Sequence, residues 1–330
     1  MRAVFALISS LWLAGTPLAA QCTGENLIAA LPAADQIALR QTAEAAPFAV
    51  GNFWHATKGA DEITVVGTYH LTDSRHDAAL AALAPMLNDA TALLVEAGPS
   101  EEAAIKTYVA QHPEVMIDTT GPTLPERLSK SDWARLSDAL RARGIPPFMA
   151  AKFRPWYLSM MLGIPPCGMA DMADAKGLDA LLIDAAESLG TPVQALEPFD
   201  TVFTIFDAMT PEEQLAMVTS ALAMEERSAD FAITLADAYF AEEGRLIWEF
   251  MRYESLRLPD YTPERVEAEF ATMETAMMTN RNRAWIPVIT KAAETGPVLV
   301  AFGALHLSGD AGVLNLLAQE GWQIERLHLP

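Results

Sequence analysis

The stretch "ITVVGTYHL" at residues 63–71 and the stretch "VLVAFGALHL" at residues 298–307 share one frame. Each is an apolar run of strand length that ends in Gly-x-x-His-Leu. A short apolar run closed by glycine reads as a buried strand. The glycine lets the chain leave the strand sharply and brings backbone close to a ligand. The histidine three residues on then falls in the loop, and in an α/β sheet ligand sites lie beyond the carboxyl ends of the strands. Of the six histidines, His70 and His306 stand in this frame. His55, His76, His112 and His328 do not, and read as surface or packing residues. The frame predicts adjacent parallel strands ending at Val66 and Phe302, with their imidazoles within roughly 10 Å of each other. It also predicts that Glu96 comes from the strand on the far side of His70 and points into the same space.

Outward from the first run, "NFWHATKGADEITVV" reads as strand, Lys-Gly-Ala-Asp turn, strand. Asp73 offers an N-cap for the helix that follows. "TALLVEAG" (91–98) is a further buried strand, and a helix over about 100–111 follows it. This β-β-α-β-α order favours helices packed on a sheet. From about 121 to 296 the pattern is helical, interrupted by the strand "TPVQALE" (191–197). The end returns to strand, helix stopped by Gly321, and a last strand "WQIERLHL". The predicted fold is therefore α/β, of α+β layout. Its central sheet is built from the N- and C-terminal parts (about 50–120, 191–197 and 297–330). A large helical insertion over about 121–190 and 198–296 caps it, and residues 21–330 form one domain.

Glu96 and Glu197 each close a strand. A carboxylate at a buried strand end is costly unless it has a partner or a task. Two histidines and two glutamates converging at strand ends suit a divalent metal with an open position for water. They suit equally a metal-free mechanism with a histidine general base. In "TNRNRAW" (279–285), Arg281 and Asn282 fall at a predicted helix start, where either side chain is suited to stabilising an oxyanion. "KFRPWYL" (152–158) is structural, with Pro155 in a first helical turn and Trp156 in packing. HExxH, GxGxxG, Walker-type and GxSxG motifs are absent.

The N-terminal "MRAVFALISSLWLAGTPLAAQC" has the layout of a secretory signal peptide, residues 1–20, cleaved after Ala20. The mature chain is expected in the periplasm or outside the cell, without a membrane span. A net charge of −21 on 330 residues, with no basic patch, argues against nucleic acid as a partner. The two cysteines, Cys22 and Cys167, predict one disulfide in an exported protein.

The pieces "GTYHL", "LLVEAG", "FRPWYL", "GLDALLIDAAESLGTPVQALE", "NRNRAW" and "AFGALHLSGDAGVLNLLAQEGWQIERL" together resemble the TraB/GumN family, which includes the Tiki-type proteases. The resemblance runs from about residue 50 to the C-terminus. It implies an α/β core with a helical insertion and, in some relatives, metal-dependent peptidase chemistry built on paired GxxH motifs and a glutamate. Carried onto this chain, the metal ligands are His70, Glu96 and His306, for Mn²⁺, Co²⁺ or Zn²⁺. Arg281 and Asn282 fall in the family's Arg-Asn position and Glu197 in its "LE" position. The expected function is an exported, metal-dependent peptidase acting on a peptide or small-molecule substrate. The alternatives are a binding protein for haem or another small molecule, with the histidines as axial ligands, and a metal-free esterase-type hydrolase.

Overall fold

Ile63, Val65, Val66, Leu299 and Val300 are fully buried. Removing one such side chain from water is worth about 1.5–3 kcal/mol, so the two apolar runs must be covered on both faces. In the computed structural model, which describes residues 22–169, 175–258 and 261–329, they lie side by side. The predicted leader, residues 1–20, falls outside the described residues. Strand β1 (Phe53–Lys58) turns through Gly59, at φ +67°, into β2 (Asp61–Thr68), as the Lys-Gly-Ala-Asp turn predicts. Strands β3 (Ala92–Val95), β4 (Val193–Ala195), β5 (Val298–Gly303) and β6 (Gln323–Arg326) complete a sheet of order β4-β3-β5-β2-β1-β6. The pairs β4–β3, β3–β5 and β5–β2 are parallel, and β1 is antiparallel to both its neighbours. Val66 stands opposite Ala301 and Gly67 opposite Phe302, the predicted pairing.

Alternate residues of each run face opposite layers. Val66, Leu299 and Ala301 pack with Leu83 and Leu87 of helix His76–Asp89 and with Leu178 and Leu182 of helix Leu178–Leu189. Ile63, Val65, Val298, Val300 and Phe302 pack with Trp285 and Ile289 of helix Asn280–Ala293 and with Leu314 and Leu317 of helix Val313–Gln319. Two covered faces explain why β2 and β5 are continuous rather than alternating apolar runs. The fold is mixed α/β, with a sheet that needs both ends of the chain: β5, from the C-terminal part, is central.

Helix Leu178–Leu189 lies in the helical stretch of the sequence, yet it packs on the sheet. Helices Lys130–Ala142, Pro155–Leu162 and Pro211–Met224 of the insertion hold a core of their own around Leu136, Leu140, Leu158, Val218 and Leu222. Buried Arg143 pins it, donating to the carbonyls of Ala139, Met161, Leu162 and Ile164 and pairing with Glu225 at 2.6 Å. Asp73 does not cap the helix after β2. Arg75 takes the cap position, and Asp73 instead accepts from the Arg75 backbone and guanidinium. Among the described residues no helix is long and apolar enough to cross a membrane.

Cys22 and Cys167 form the predicted disulfide, with Cα atoms 5.3 Å apart and a sequence separation of 145. A bridge across so long a loop removes much of the unfolded chain's freedom. Replacing both cysteines with alanine is expected to cost roughly 2–5 kcal/mol in urea unfolding. An unchanged unfolding free energy would mean that the bridge restrains only the terminus.

Candidate active site

The strand β5 runs through Gly303 into a 3-10 turn, Ala304–His306, which leaves His306 buried. His306 Nδ1 lies 2.6 Å from Asn282 Oδ1. The Asn282 amide nitrogen donates to the carbonyls of Ala311 (2.8 Å) and His306 (3.4 Å), so its oxygen is the acceptor and His306 Nδ1 carries the proton. His306 Nε2 is then the bare nitrogen, 3.3 Å from Arg281 Nη1. Burial pushes the His306 imidazole down to about 4, against the pull of Glu96.

His70 stands in the loop beyond β2, largely exposed, with Nδ1 3.0 Å from Asp179 Oδ2. That hydrogen bond lifts His70 to about 8, against desolvation. Asp179 occupies the first turn of helix Leu178–Leu189. The helix start is clamped to the histidine loop: Leu178 N–H donates to Tyr69 O at 3.0 Å. A Cβ on Gly177 would stand 2.3 Å from that oxygen and 2.5 Å from His70 Cα, so glycine alone fits. Asp179 is a site residue that sequence reasoning missed, because an acid in a first helical turn is ordinary. The signal was the Gly-Leu-Asp start itself.

The repeated glycine now has a physical reason. A Cβ on Gly303 would lie 3.4 Å from His70 Nε2, 3.4 Å from Glu96 Oε1 and 3.8 Å from His306 Cδ2. The Cα of Gly303 is thus the floor on which all three residues meet, and the rings lie within the roughly 10 Å expected. Gly303 N–H also donates to Glu96 Oε1 at 2.7 Å. A Cβ on Gly67 would lie 2.5 Å from Leu307 Cδ1, so the first glycine lets the two histidine loops interlock.

Glu96 follows β3, which flanks β5 and not β2; the other flank of β2 is β1. The expected placement of its strand beyond His70 is therefore corrected, although its carboxylate does reach the shared space. Burial raises the Glu96 carboxyl, but His306, Arg281, His70 and the Gly303 N–H outweigh it and hold it at about 2.

Arg281 ties the remaining residues together. Its Nη2 lies 2.5 Å from Glu96 Oε2 and 2.6 Å from Glu197 Oε1, its Nε 2.8 Å from Glu197 Oε2, and its Nη1 3.2 Å from Met277 O. Glu197 Oε2 also accepts from Trp285 Nε1 at 3.0 Å. Glu197 and Arg281 form a bidentate fork, the strongest geometry for such a pair. Arg281 and Asn282 are not at a helix start. They lie in the first turn of Asn280–Ala293, but that helix continues Pro263–Glu274 without a break through a π-helical turn, Thr275–Thr279. They face inward because they precede Trp285, Ile286 and Ile289 on the buried stripe of that helix. Asn282 has no free amide donor for an oxyanion and instead fixes the His306 tautomer.

His70 Nε2, Glu96 and the bare His306 Nε2 are donors of the kind a divalent cation takes, although His306 Nε2 is turned to Arg281. Among the described residues no group of three or more His, Cys, Asp or Glu side chains stands at ready ligating distances, and the Arg281 guanidinium lies against both Glu96 and His306.

The polar side chains converge beyond the carboxyl ends of the parallel strands, where open α/β sheets bind their ligands. The model of the TraB/PrgY/gumN family matches residues 52–326, and the chain belongs to that family. No curated protein matches it.

Within the site, His306 and Glu96 both favour the folded metal-free protein at neutral over acid pH. His306 drops from 6.5 to about 4 on folding, so its contribution is full above pH 6.5 and fades as pH falls towards 4. Glu96 drops from 4.5 to about 2, and its contribution fades below pH 4.5. His70 has the opposite sign: its contribution is full below pH 6.5 and is lost as pH rises through about 8. His306→Gln is expected to flatten the decline between pH 6.5 and 4, followed as the urea midpoint against pH. A decline identical to that of the native protein would contradict a buried neutral imidazole.

Proposed function

We propose that the chain is an exported hydrolase that cleaves an acyl bond of a peptide-like substrate, with a divalent cation held by His70, His306 and Glu96. One observation carries this reading. Both imidazoles have Nδ1 tied back, to Asp179 and Asn282; His70 turns Nε2 to the space above Gly303 beside Glu96, and His306 reaches the same space with Cδ2, its bare Nε2 lying against Arg281. Tethering of this kind orients metal-ligating histidines and fixes their tautomer. The disulfide supports an oxidising compartment.

A bound cation of this class lowers the pKa of its water and polarises a carbonyl. The chain's own groups supply the rest. Asp179 and Asn282 hold the two rings, and Gly303 N–H holds Glu96 in place. The Arg281 charge, kept at the site by Glu197, favours negative charge developing on a substrate oxygen. Glu197 does not face the reacting space with a free oxygen; it positions Arg281.

A metal-free hydrolase is the second reading, favoured by the Asp179–His70 pair. A carboxylate on Nδ1 with Nε2 open is the arrangement of a general base, and the lift to about 8 makes it a base that acts only as pH rises towards that value, where the ring loses its proton. Haem between the two imidazoles fits less well, because Arg281 lies against His306 Nε2, the nitrogen an iron would need.

The deciding assay uses the mature protein freed of metal by chelation, incubated with a mixed peptide library and analysed by mass spectrometry. Cleavage is expected to need added Mn²⁺, Co²⁺ or Zn²⁺, to be abolished in His70→Ala and His306→Ala, and to fall roughly 10–100-fold in Asp179→Asn. Chelator-resistant cleavage that still depends on His70 and Asp179 would select the metal-free reading. No cleavage under any condition would overturn both.

A further inference from the structure

We infer that Arg281 is the resident counter-ion of the cleft, and that a divalent cation enters by displacing the Nη1/Nη2 edge of its guanidinium from His306 and Glu96 while Glu197 retains the Nε edge. This rests on the metal-site reading above and concerns how that site is loaded.

Two of the three proposed ligands already serve a cation. Arg281 Nη1 lies 3.3 Å from His306 Nε2, the ring nitrogen left bare because Nδ1 donates to Asn282. Arg281 Nη2 lies 2.5 Å from Glu96 Oε2. A guanidinium and a dication sharing one carboxylate and one imidazole repel each other, so the two are alternatives. The displaced side chain keeps a partner. Among the described residues Glu197 bonds only to Arg281 and Trp285, and its contact with Arg281 Nε at 2.8 Å does not involve the metal-facing edge.

The backbone beneath Arg281 is suited to such a shift. Nη1 also donates to Met277 O, within the π-helical turn Thr275–Thr279. A π turn is wider than an α turn and is frequent at functional sites. A purely structural arginine would neutralise the same carboxylates but would not compete with an added cation.

The test is a Co²⁺ titration, followed by visible absorption and by calorimetry, on the native protein, Arg281→Ala and Arg281→Gln, each shown to be folded by thermal melting. The neutral variants are expected to bind Co²⁺ on the order of tenfold tighter. Guanidinium chloride at non-denaturing concentration should weaken Co²⁺ binding to Arg281→Ala competitively and leave the native protein unaffected. Arg281→Gln keeps the comparison available if the alanine variant does not fold. Equal Co²⁺ affinity in the native protein and a folded neutral variant, without a guanidinium effect, overturns the displacement and leaves the metal site standing. Absence of Co²⁺ binding in every protein overturns the metal site and the displacement with it.

Discussion

The guanidinium of Arg281 between the carboxylates of Glu96 and Glu197 is the interaction on which the cleft depends. The two glutamates close neighbouring parallel strands, β3 and β4, and both side chains are mostly withdrawn from solvent. Without a cation between them, two carboxylates at these strand ends would carry the full cost of burial and of mutual repulsion. Arg281 resolves that conflict and in doing so brings the helix Asn280–Ala293 to the strand ends. The next residue, Asn282, then reaches His306 and sets its tautomer. A buried ion pair often adds little net stability; here its use is to fix which groups face one another.

The two histidines are tuned in opposite directions by different means. Burial depresses His306 to about 4, and a carboxylate lifts His70 to about 8. At neutral pH the metal-free cleft therefore holds one neutral and one protonated imidazole, so ligands that need both lone pairs must first release a proton from His70. Separating two titratable groups in this way is how one site assigns different tasks to like residues.

Much of this was legible in the sequence, for identifiable reasons. The continuous apolar runs of β2 and β5 announced strands covered on both faces, and the shared Gly-x-x-His frame announced their adjacency. Close approach requires the glycine at Gly67, where a Cβ would meet Leu307 and the Ala304 Cα, whereas a Cβ on Gly303 would only touch His70, Glu96 and His306. The strand order was not legible: β1 and β3 are both plausible neighbours of β2, and long-range packing decides between them. Nor was the setting of Arg281. "TNRNRAW" is a polar run that reads as a helix start, yet no glycine or proline interrupts the helix there, and it continues through a π turn. Asp179 was hidden because its local signal is that of an unremarkable first-turn acid.

The most direct measurement of the central claim is a double-mutant cycle between the two members of the fork, Glu197→Gln and Arg281→Gln, read by urea unfolding at neutral pH. If Arg281 is the tie between the strand ends, each single change leaves a buried charge without its partner, and the double change relieves it. The account then predicts a coupling energy of roughly 0.5–3 kcal/mol, with the double variant less destabilised than the sum of the singles. Additive losses would show that the two side chains act independently, and would contradict an architecture in which this ion pair organises the cleft.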